Sequence, residues 1–437
     1  MKESFFFNTT ISMQISHLRW RLCGLLFCAT ALSFLDRQVL SVVAPAICEE
    51  LHIDNKTYSF ITTAFMASYA VMFFLGGCFL DRVGTRWGLG LAVLIWTAAS
   101  AFHAIAVTPF QLGMNRFFLG FGEGACFPGA VKAVSEWFPA KQRALAAGIA
   151  IGGASLGGVL APPLTVWLVG LFGWRGAFAA TGLLGLLWVL CWFLFYYAPS
   201  KSPFITDQEK EWIESNRNET ISEQPTSQYN DTFISLLYRK EVLGLGLARF
   251  LFDPVFYFYM FWIPKYLHQE RNLSLEMIGA LAWIPFFALG VSNILGGLAS
   301  DRLIAAGVPV SVARKGIMTV SALLTVSSGL AAFASGAYTA IAMMSLLMFA
   351  HGFWITNYVT IIGDIFPKHR VATVMGITGM VGTIGGMGAN TVIGFVVDRF
   401  SFLPVWIASG CLYPLALIVI LILVRKQSDS ISKFITH

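Results

Sequence analysis

The chain has 437 residues, of which 57% are hydrophobic and only 12% charged, and its mean hydropathy is +0.70. Soluble domains carry about 25% charged residues, so this composition argues against a soluble protein and indicates an integral membrane protein. The net charge of +6 is too modest to suggest nucleic acid as a partner.

Twelve apolar stretches are each long enough for a membrane helix, which needs about 20 mainly apolar residues. They lie at 18–46, 57–80, 87–107, 110–135, 142–170, 175–197, 241–267, 276–299, 313–333, 337–363, 370–397 and 402–424. Such long continuous runs do not fit barrel strands, so the sequence predicts an all-α membrane protein that crosses the lipid bilayer twelve times.

Lysine and arginine predict the orientation of these spans, because cytoplasmic loops carry an excess of both. With both termini in the cytoplasm, most basic loop residues lie on the cytoplasmic side. The opposite loops hold Lys56, Arg175, Lys265, Arg271 and Arg399. Residues 1–17 then form an N-terminal tail and residues 425–437 a C-terminal tail, both cytoplasmic.

One long polar segment, 198–240, divides the spans six and six. We expect it to be a cytoplasmic loop between two helical bundles, at 18–197 and 241–424. Its stretch "TDQEKEWIESN" predicts a short surface helix capped by Thr206.

An internal repeat supports this division. "GGCFLDR" begins at Gly76 and "GGLASDR" begins at Gly296, each at the end of the second span of its half. A second pair, "SEWFPAKQR" and "GDIFPKHR", lies between the fourth and fifth spans of each half. Two matched signatures at matched positions predict two pseudo-symmetric six-helix bundles.

Charged residues inside the first-half spans are candidates for function, because a charge at mid-bilayer costs at least about 2.5–3.5 kcal/mol. Asp36 and Arg37 lie in the first span, and Arg116 and Glu123 lie in the fourth. Arg116 and Glu123 share one helical face, separated by roughly 10.5 Å along the axis. Tyr69 in the second span is the nearest polar aromatic candidate.

Two acids and two bases in one cavity can neutralise each other when the cavity is empty. We expect Glu123 to meet Arg37, and Arg116 to meet Asp36 or the carboxylate of a substrate. An incoming anion would compete for an arginine and free a carboxylate to take a proton, which is the chemistry of proton–anion symport. The alternative is an ion-pair network that only holds helices together.

The second half offers weaker candidates. Arg249 lies in the seventh span beside Asp253 and Pro254, and the proline predicts a broken helix near the membrane midplane. Tyr257 follows on the same span and could stack on a sugar ring.

The tenth span adds two polar candidates. They are His351 and Asn357. A lone buried histidine more often has a structural role, whereas Asn357 could contact substrate hydroxyls.

The loop after the second span, with Gly77, Asp81, Arg82, Gly84 and Arg86, resembles the G-x-x-x-D-R-x-G-R motif of the major facilitator superfamily. The resemblance covers almost the whole chain and implies that this loop helps to close the cytoplasmic gate. We expect Asp81 to pair with Arg143 in such a gate.

The corresponding gate residues of the second half are Asp301 and Arg302, in the repeated copy of the motif.

The membrane-embedded charges resemble those of the anion:cation symporter branch of that superfamily. The resemblance implies that Asp36 and Glu123 carry protons and that Arg37 and Arg116 handle the substrate's negative charge. "RFLFDPVFYFYMFWIPKYL" and "RVATVMGITGM" are most similar to hexuronate transporters. Galactonate-type members carry a glutamine and an asparagine at positions that correspond here to Ala154 and Gly382, so hydroxyl recognition must differ.

These features together predict a proton-coupled importer of a sugar-acid anion, in the first place a hexuronate, in the bacterial inner membrane, acting as a monomer. Another carboxylate substrate (an aldonate, aldarate or aromatic acid) and an efflux antiporter remain alternatives, although the two arginines argue against an exporter of lipophilic cations. We expect no enzymatic activity, metal site or cofactor, because the sequence shows no motif for them.

Overall fold

The computed structural model describes residues 17–218, 233–333, 336–366 and 368–424, and these residues form helices without strands. Three short 3-10 helices (His103–Ile105, Pro199–Lys201 and Val326–Phe333) connect longer elements. The α-helices in these ranges are α1 (Leu18–Glu50), α2 (Asn55–Val83), α3 (Thr85–Phe102), α4 (Pro109–Glu123), α5 (Cys126–Trp137), α6 (Ala140–Phe195), α7 (Asp207–Asn218), α8 (Phe233–Leu237), α9 (Lys240–Gln269), α10 (Leu275–Leu281), α11 (Trp283–Ala305), α12 (Val310–Thr325), α13 (Ala337–Ile365), α14 (Lys368–Phe400) and α15 (Leu403–Leu423).

Ten helices in the described part of the chain are long and apolar enough to cross a membrane. Helix α6 contains the predicted span 142–170 and all but the last two residues of the span 175–197, and its path changes direction at Gly173. Gly173 has a φ of 68°, a conformation that residues with a side chain rarely adopt.

The predicted span 110–135 is divided between α4 and α5, which meet at Gly124 and Ala125. Close packing explains the glycine, because a Cβ atom at Gly124 would lie 2.6 Å from Cβ of Met72 on α2.

Helix α7 confirms the surface helix predicted in the central segment. Thr206 Oγ1 accepts a hydrogen bond from the backbone N of Glu209 at 3.3 Å, as the predicted cap requires. Glu209 in turn accepts from the backbone N of Leu18 at 3.0 Å, and the guanidinium of Arg19 lies 4.1 Å from the Trp212 ring. The polar segment is therefore attached to the start of α1 rather than solvated along its whole length.

The long helices form two groups, which contact each other mainly along three pairs of long helices. Within 18–195, α1 packs mainly on α6 and α2 on α4, whereas within 240–424, α11 packs on α13 and α9 on α14. The two groups meet where α2 faces α14, α6 faces α11 and α1 faces α9. Polar side chains buried on α1 and α9 therefore lie close to the boundary between the groups.

Hydrogen bonds join the two groups at one end, which we call the Asn55 end because Asn55 Nδ2 donates to Asp398 Oδ1 at 2.7 Å. The hydroxyls of Ser41 and Tyr58 donate to the carbonyl oxygen of Phe261 at 3.1 and 2.7 Å. Asn390 Nδ2 donates to the backbone O of Ser59 and to the hydroxyls of Thr62 and Thr63, at 2.8–2.9 Å. These contacts close the Asn55 end.

The opposite end, which we call the Asp81 end, is held differently. Its ion pairs stay within one group: Asp81 with Lys132 at 2.6 Å, and Arg314 with Asp301 at 3.0 Å and with Asp364 at 3.5 Å. The structure thus represents a state that is locked at the Asn55 end.

Candidate functional site

A buried ion pair joins α1 to α4 within the first group. Arg37 Nε donates to Glu123 Oε2, and Ser33 Oγ donates to the same oxygen at 3.0 Å. Arg37 is 3% exposed and Glu123 is fully buried. The predicted pairing of Glu123 with Arg37 is present, and Ser33, one helical turn before Arg37, is a partner that sequence reasoning missed.

Aromatic rings surround the guanidinium of Arg37. Its Cζ lies 4.4 Å from the centre of the Tyr69 ring, 4.8 Å from that of Phe34 and 5.4 Å from that of Phe65. Stacked aromatic faces attract a guanidinium and reduce the cost of removing it from water. The prediction placed Tyr69 in this cavity, whereas Phe34 and Phe65 carried no signal that would distinguish them from ordinary core residues.

Asp36 points away from its neighbour Arg37. Its Oδ1 accepts from Ser100 Oγ on α3 at 2.9 Å, and its Oδ2 is buried without a hydrogen-bond partner among the described residues. Successive residues of a helix are rotated by about 100°, so Asp36 and Arg37 necessarily face different neighbours. Keeping the Asp36 carboxylate ionised is costly, because one of its buried oxygens has no hydrogen-bond donor among the described residues.

Arg116 does not pair with the Asp36 carboxylate. Its Nη1 donates instead to the backbone oxygens of Asp36 and Arg37, at 3.5 and 3.3 Å, while its Nε and Nη2 are buried without partners among the described residues. The direct Arg116–Asp36 ion pair that the sequence suggested is absent, because the Asp36 side chain is directed to Ser100. Arg116 therefore keeps donors that a carboxylate could take.

The second group contributes Arg249, Asp253 and Tyr257, spaced one turn apart on α9. Arg249 Nε donates to Asp253 Oδ2 at 2.9 Å, and the hydroxyl of Tyr257 lies 3.2 Å from that of Thr383 on α14. The Tyr257 ring stacks on Phe261 with a centroid separation of 6.1 Å. These side chains face α14, where glycines make room for them.

Two glycines of α14 show how closely it approaches α9. A Cβ atom at Gly382 would collide with Asp253 Oδ2 and would lie 2.6 Å from Arg249 Cγ. At Gly386 it would collide with the Tyr257 ring. The space that a larger residue at position 382 would need is thus occupied by the Arg249–Asp253 pair.

The predicted break of the seventh span at Pro254 is wrong, because α9 runs without interruption from Lys240 to Gln269. Pro254 leaves the carbonyl oxygen of Phe250 without its usual donor. Gly385 of α14 packs closely there, since a Cβ atom at Gly385 would lie 2.5 Å from that oxygen. The glycine therefore allows α14 to pack closely against α9 at the proline.

His351 and Asn357 on α13 make contacts within the second group. His351 Nδ1 lies 2.5 Å from the Tyr413 hydroxyl, and its ring stacks on Phe256 at 5.0 Å. Asn357 is fully buried, and its Nδ2 donates to the backbone oxygens of Gly296 and Phe353. Asn357 therefore connects α13 to α11, and its amide donors are already used.

The predicted gate residues lie at the Asp81 end, with different partners from those expected. Asp81 pairs with Lys132 rather than Arg143, because Lys132 of α5 faces the end of α2 and also donates to the Leu80 oxygen at 2.8 Å. Arg143 instead donates to the backbone oxygens of Ser135 and Phe138. In the second group Asp301 pairs with Arg314, and Arg82 and Arg302 are exposed.

Four buried side chains from both groups form one set, which we call the central cluster: Arg37, Tyr69, Glu123 and Tyr257. The Phe65 ring lies 5.5 Å from Tyr69 and 6.0 Å from Phe261, and Phe261 stacks on Tyr257. Aromatic contacts thus connect the ion pair of the first group with the tyrosine of the second.

Comparison with known proteins gives the family. The sequence model of the Major Facilitator Superfamily matches residues 26–389 and, in a second alignment, 245–435. The chain is 31% identical to the hexuronate transporter of Escherichia coli K12 over 394 residues, which are 90% of this chain and 91% of that protein. It is 34% identical to the galacturonate transporter of Dickeya chrysanthemi over 332 residues, 75% of this chain and 95% of that one.

A solved structure shows the same fold. The crystal structure of a D-xylose–proton symporter superposes with a TM-score of 0.72 at 14% identity, covering 93% of this chain and 98% of the other. These relatives are transporters and not enzymes, and the ten apolar helices are those of a multi-pass membrane protein. The family model and the curated relatives each extend over most of this sequence, and the chain therefore belongs to the Major Facilitator Superfamily.

Proposed function

We propose that the protein imports a hexuronate anion together with protons by alternating access. The observation that carries this proposal is the buried Arg37–Glu123 pair, which lies beside the boundary of two helix groups that must move relative to each other. The names of the relatives, hexuronate and galacturonate transporters, support the same substrate class.

In this mechanism the substrate carboxylate competes with Glu123 for the guanidinium of Arg37. Glu123, once released, takes a proton, because an unpaired carboxylate is costly in a buried site. Asp36 is the second proton carrier, since one of its oxygens already lacks a partner. Arg116 attracts the anion through the donors that no described residue uses.

The ring of the sugar acid would lie between the two groups. Tyr69 and Tyr257 offer aromatic faces and hydroxyls, and Arg249 offers a second cation on α9. The proposed site also includes His351 and Asn357 on α13, of which Asn357 offers its Oδ1, an atom without a hydrogen-bond partner among the described residues. A planar arginine fork is well suited to a carboxylate, which explains why arginine rather than lysine occupies the central positions.

The proposed topology has twelve crossings, counting α6 as two and α4 with α5 as one. The lysine and arginine distribution places both termini and the loop at 198–240 in the cytoplasm, with bundles at 18–197 and 241–424. The Asp81 end is then cytoplasmic, and the structure is closed towards the outside.

Gate residues at the Asp81 end would act when that end closes. Asp81, Arg82, Arg143, Asp301 and Arg302 lie there, where the ion pairs now stay within each group. We propose that they make contacts across the two groups in the outward-facing state, and that a monomer is sufficient for transport.

Uptake into proteoliposomes tests the proposal. Vesicles with an inward proton gradient should accumulate labelled galacturonate or glucuronate, and collapsing the gradient with an ionophore should stop accumulation. Accumulation of an aldonate or aldarate in place of the uronates would contradict the substrate assignment. Uptake that does not respond to the gradient would contradict proton coupling.

A substitution at Gly382 tests the role of the Arg249–Asp253 pair. We expect Gly382→Ala to displace this pair, because the added Cβ collides with Asp253, and to destabilise the protein by about 1–3 kcal/mol. The temperature of thermal unfolding and the rate of galacturonate uptake should both decrease. Gly388→Ala on the same helix is the control, since its added Cβ has no atom within 4 Å. Equal behaviour of the two variants would show that position 382 tolerates a side chain.

A further inference from the structure

Lys265 on α9 is a buried cation that the proposed mechanism does not use. The side chain is 2% exposed, and its Nζ has no hydrogen-bond partner among the described residues. Its Nζ lies 4.6 Å from the centre of the Tyr58 ring and 5.7 Å from that of Trp262. The ammonium is thus held between two aromatic rings near the Asn55 end.

The acids near Lys265 are engaged elsewhere. Asp54 and Asp398 are close enough to attract the ammonium, and the thiol of Cys48 lies beside it. Asp54 Oδ1 accepts from the backbone N of Thr57 at 2.8 Å, and the two oxygens of Asp398 accept from Asn55 and Lys56. Aromatic faces return only part of the cost of burying an ammonium, so Lys265 is left with donors for a stronger acceptor.

The cover over Lys265 belongs to the opposite group of helices. Tyr58 is on α2, and its hydroxyl donates to the carbonyl oxygen of Phe261 on α9. Cys48 is on α1 of the same first group. When the two groups separate at the Asn55 end, Tyr58 and Cys48 move away with that group, whereas Lys265 and Trp262 stay on α9. Opening this end therefore exposes the ammonium to the outside.

We propose that Lys265 is the docking site for the carboxylate of the arriving sugar acid, available only while the Asn55 end is open. This inference rests on the proposed function and deepens it. An anion bound at Lys265 occupies the place that Tyr58 takes in the closed form, so its binding favours the open form. Transfer to Arg37 in the central cluster then allows Tyr58 to return and the outer end to close.

Transport kinetics from the two sides of the membrane test this role. In right-side-out vesicles, where substrate meets the Asn55 end, Lys265→Gln should raise the KM for galacturonate about tenfold, because a charged hydrogen bond is lost. In inside-out vesicles the KM should change less than about twofold. Lys265→Arg should keep the wild-type KM within about threefold, since it retains the charge. Lys56→Gln, at an exposed lysine on the same side, is the matched control and should leave both values unchanged.

Two results would overturn the inference. An equal KM increase from both sides would make Lys265 part of the gate and not a docking site, as would a Lys265→Arg variant that is as impaired as Lys265→Gln. Wild-type vesicles that take up no uronate would instead contradict the proposed function.

A second experiment distinguishes failure of the docking inference from failure of the proposed function. It measures alkylation of Cys48 by a neutral maleimide in a variant that retains only this cysteine. A sugar-acid anion (galacturonate, galactonate or galactarate) should speed the reaction when Lys265 is present and not in Lys265→Gln, because anion binding favours the open form, in which Cys48 is uncovered. Absence of this acceleration with all three anions would contradict docking at Lys265, whether or not uptake occurs.

Discussion

Glu123→Gln is expected to abolish concentrative uptake of the substrate anion while leaving exchange of that anion across the membrane intact. Glutamine keeps an oxygen that can accept from Arg37 and Ser33, as Glu123 Oε2 does, but it cannot take or release a proton. The variant therefore imitates the protonated carrier permanently. Labelled galacturonate uptake should fall to the level of vesicles without a proton gradient, whereas counterflow with unlabelled galacturonate inside should continue.

Glu136→Gln is the control for this experiment. Glu136 lies on α5, and its oxygens accept from Thr85 and Tyr196 at 2.5 and 2.7 Å, away from the central cluster. We expect this variant to keep gradient-driven uptake. Concentrative uptake by Glu123→Gln at the wild-type level would show that another group carries the proton, and Asp36→Asn would then be the next variant to measure.

Arg37→Lys is expected to weaken substrate binding about 100-fold, although the positive charge is kept. Lysine loses the planar fork that binds a carboxylate through two parallel hydrogen bonds, and it loses the stacking on Tyr69 and Phe34. Because lysine makes fewer directed contacts than arginine, its ion pair with Glu123 is also weaker. The expected result is a much larger KM in proteoliposome uptake and no thermal stabilisation by galacturonate.

Arg175→Lys is the matched control, because Arg175 pairs with Glu50 at 2.5 Å in a partly exposed position at the Asn55 end. An exposed pair contributes only about 0–1 kcal/mol, so this variant should keep wild-type uptake and stability. Thermal unfolding of Arg37→Lys without ligand tells whether the buried pair serves substrate binding or only the stability of the fold. A variant that binds substrate normally but unfolds earlier would assign Arg37 to a purely structural role.

Composition and local patterns predicted a large part of this fold, because the membrane imposes strong local requirements. The apolar lengths predicted helices where the structure has them, and the polar stretch after 198 predicted α7 with its Thr206 cap. Both depend on residues that are close in the chain. The division of one span at Gly124 had no such local signal, since it follows from the contact with Met72 of another helix.

The candidate site was predicted in part. The cost of a charge in the membrane marked Arg37 and Glu123, and the structure pairs them. The partners of Asp36, Arg116 and Asp81 were not predictable, because a helix with known sequence still has an unknown rotation against its neighbours. That rotation directs Asp36 to Ser100, leaves Arg116 with backbone oxygens and brings Lys132 to Asp81.

The sequence by itself determined that this protein is a helical membrane protein, and it predicted two related halves with charged residues in the first and fourth spans. Hydropathy and repeat spacing carry that information, and neither depends on distant contacts. Only the tertiary structure decided which end is closed, that α9 continues through Pro254 and that Lys265 is covered by Tyr58. Each of these follows from how helices of the two groups pack, because side chains far apart in the chain meet only after the groups have come together.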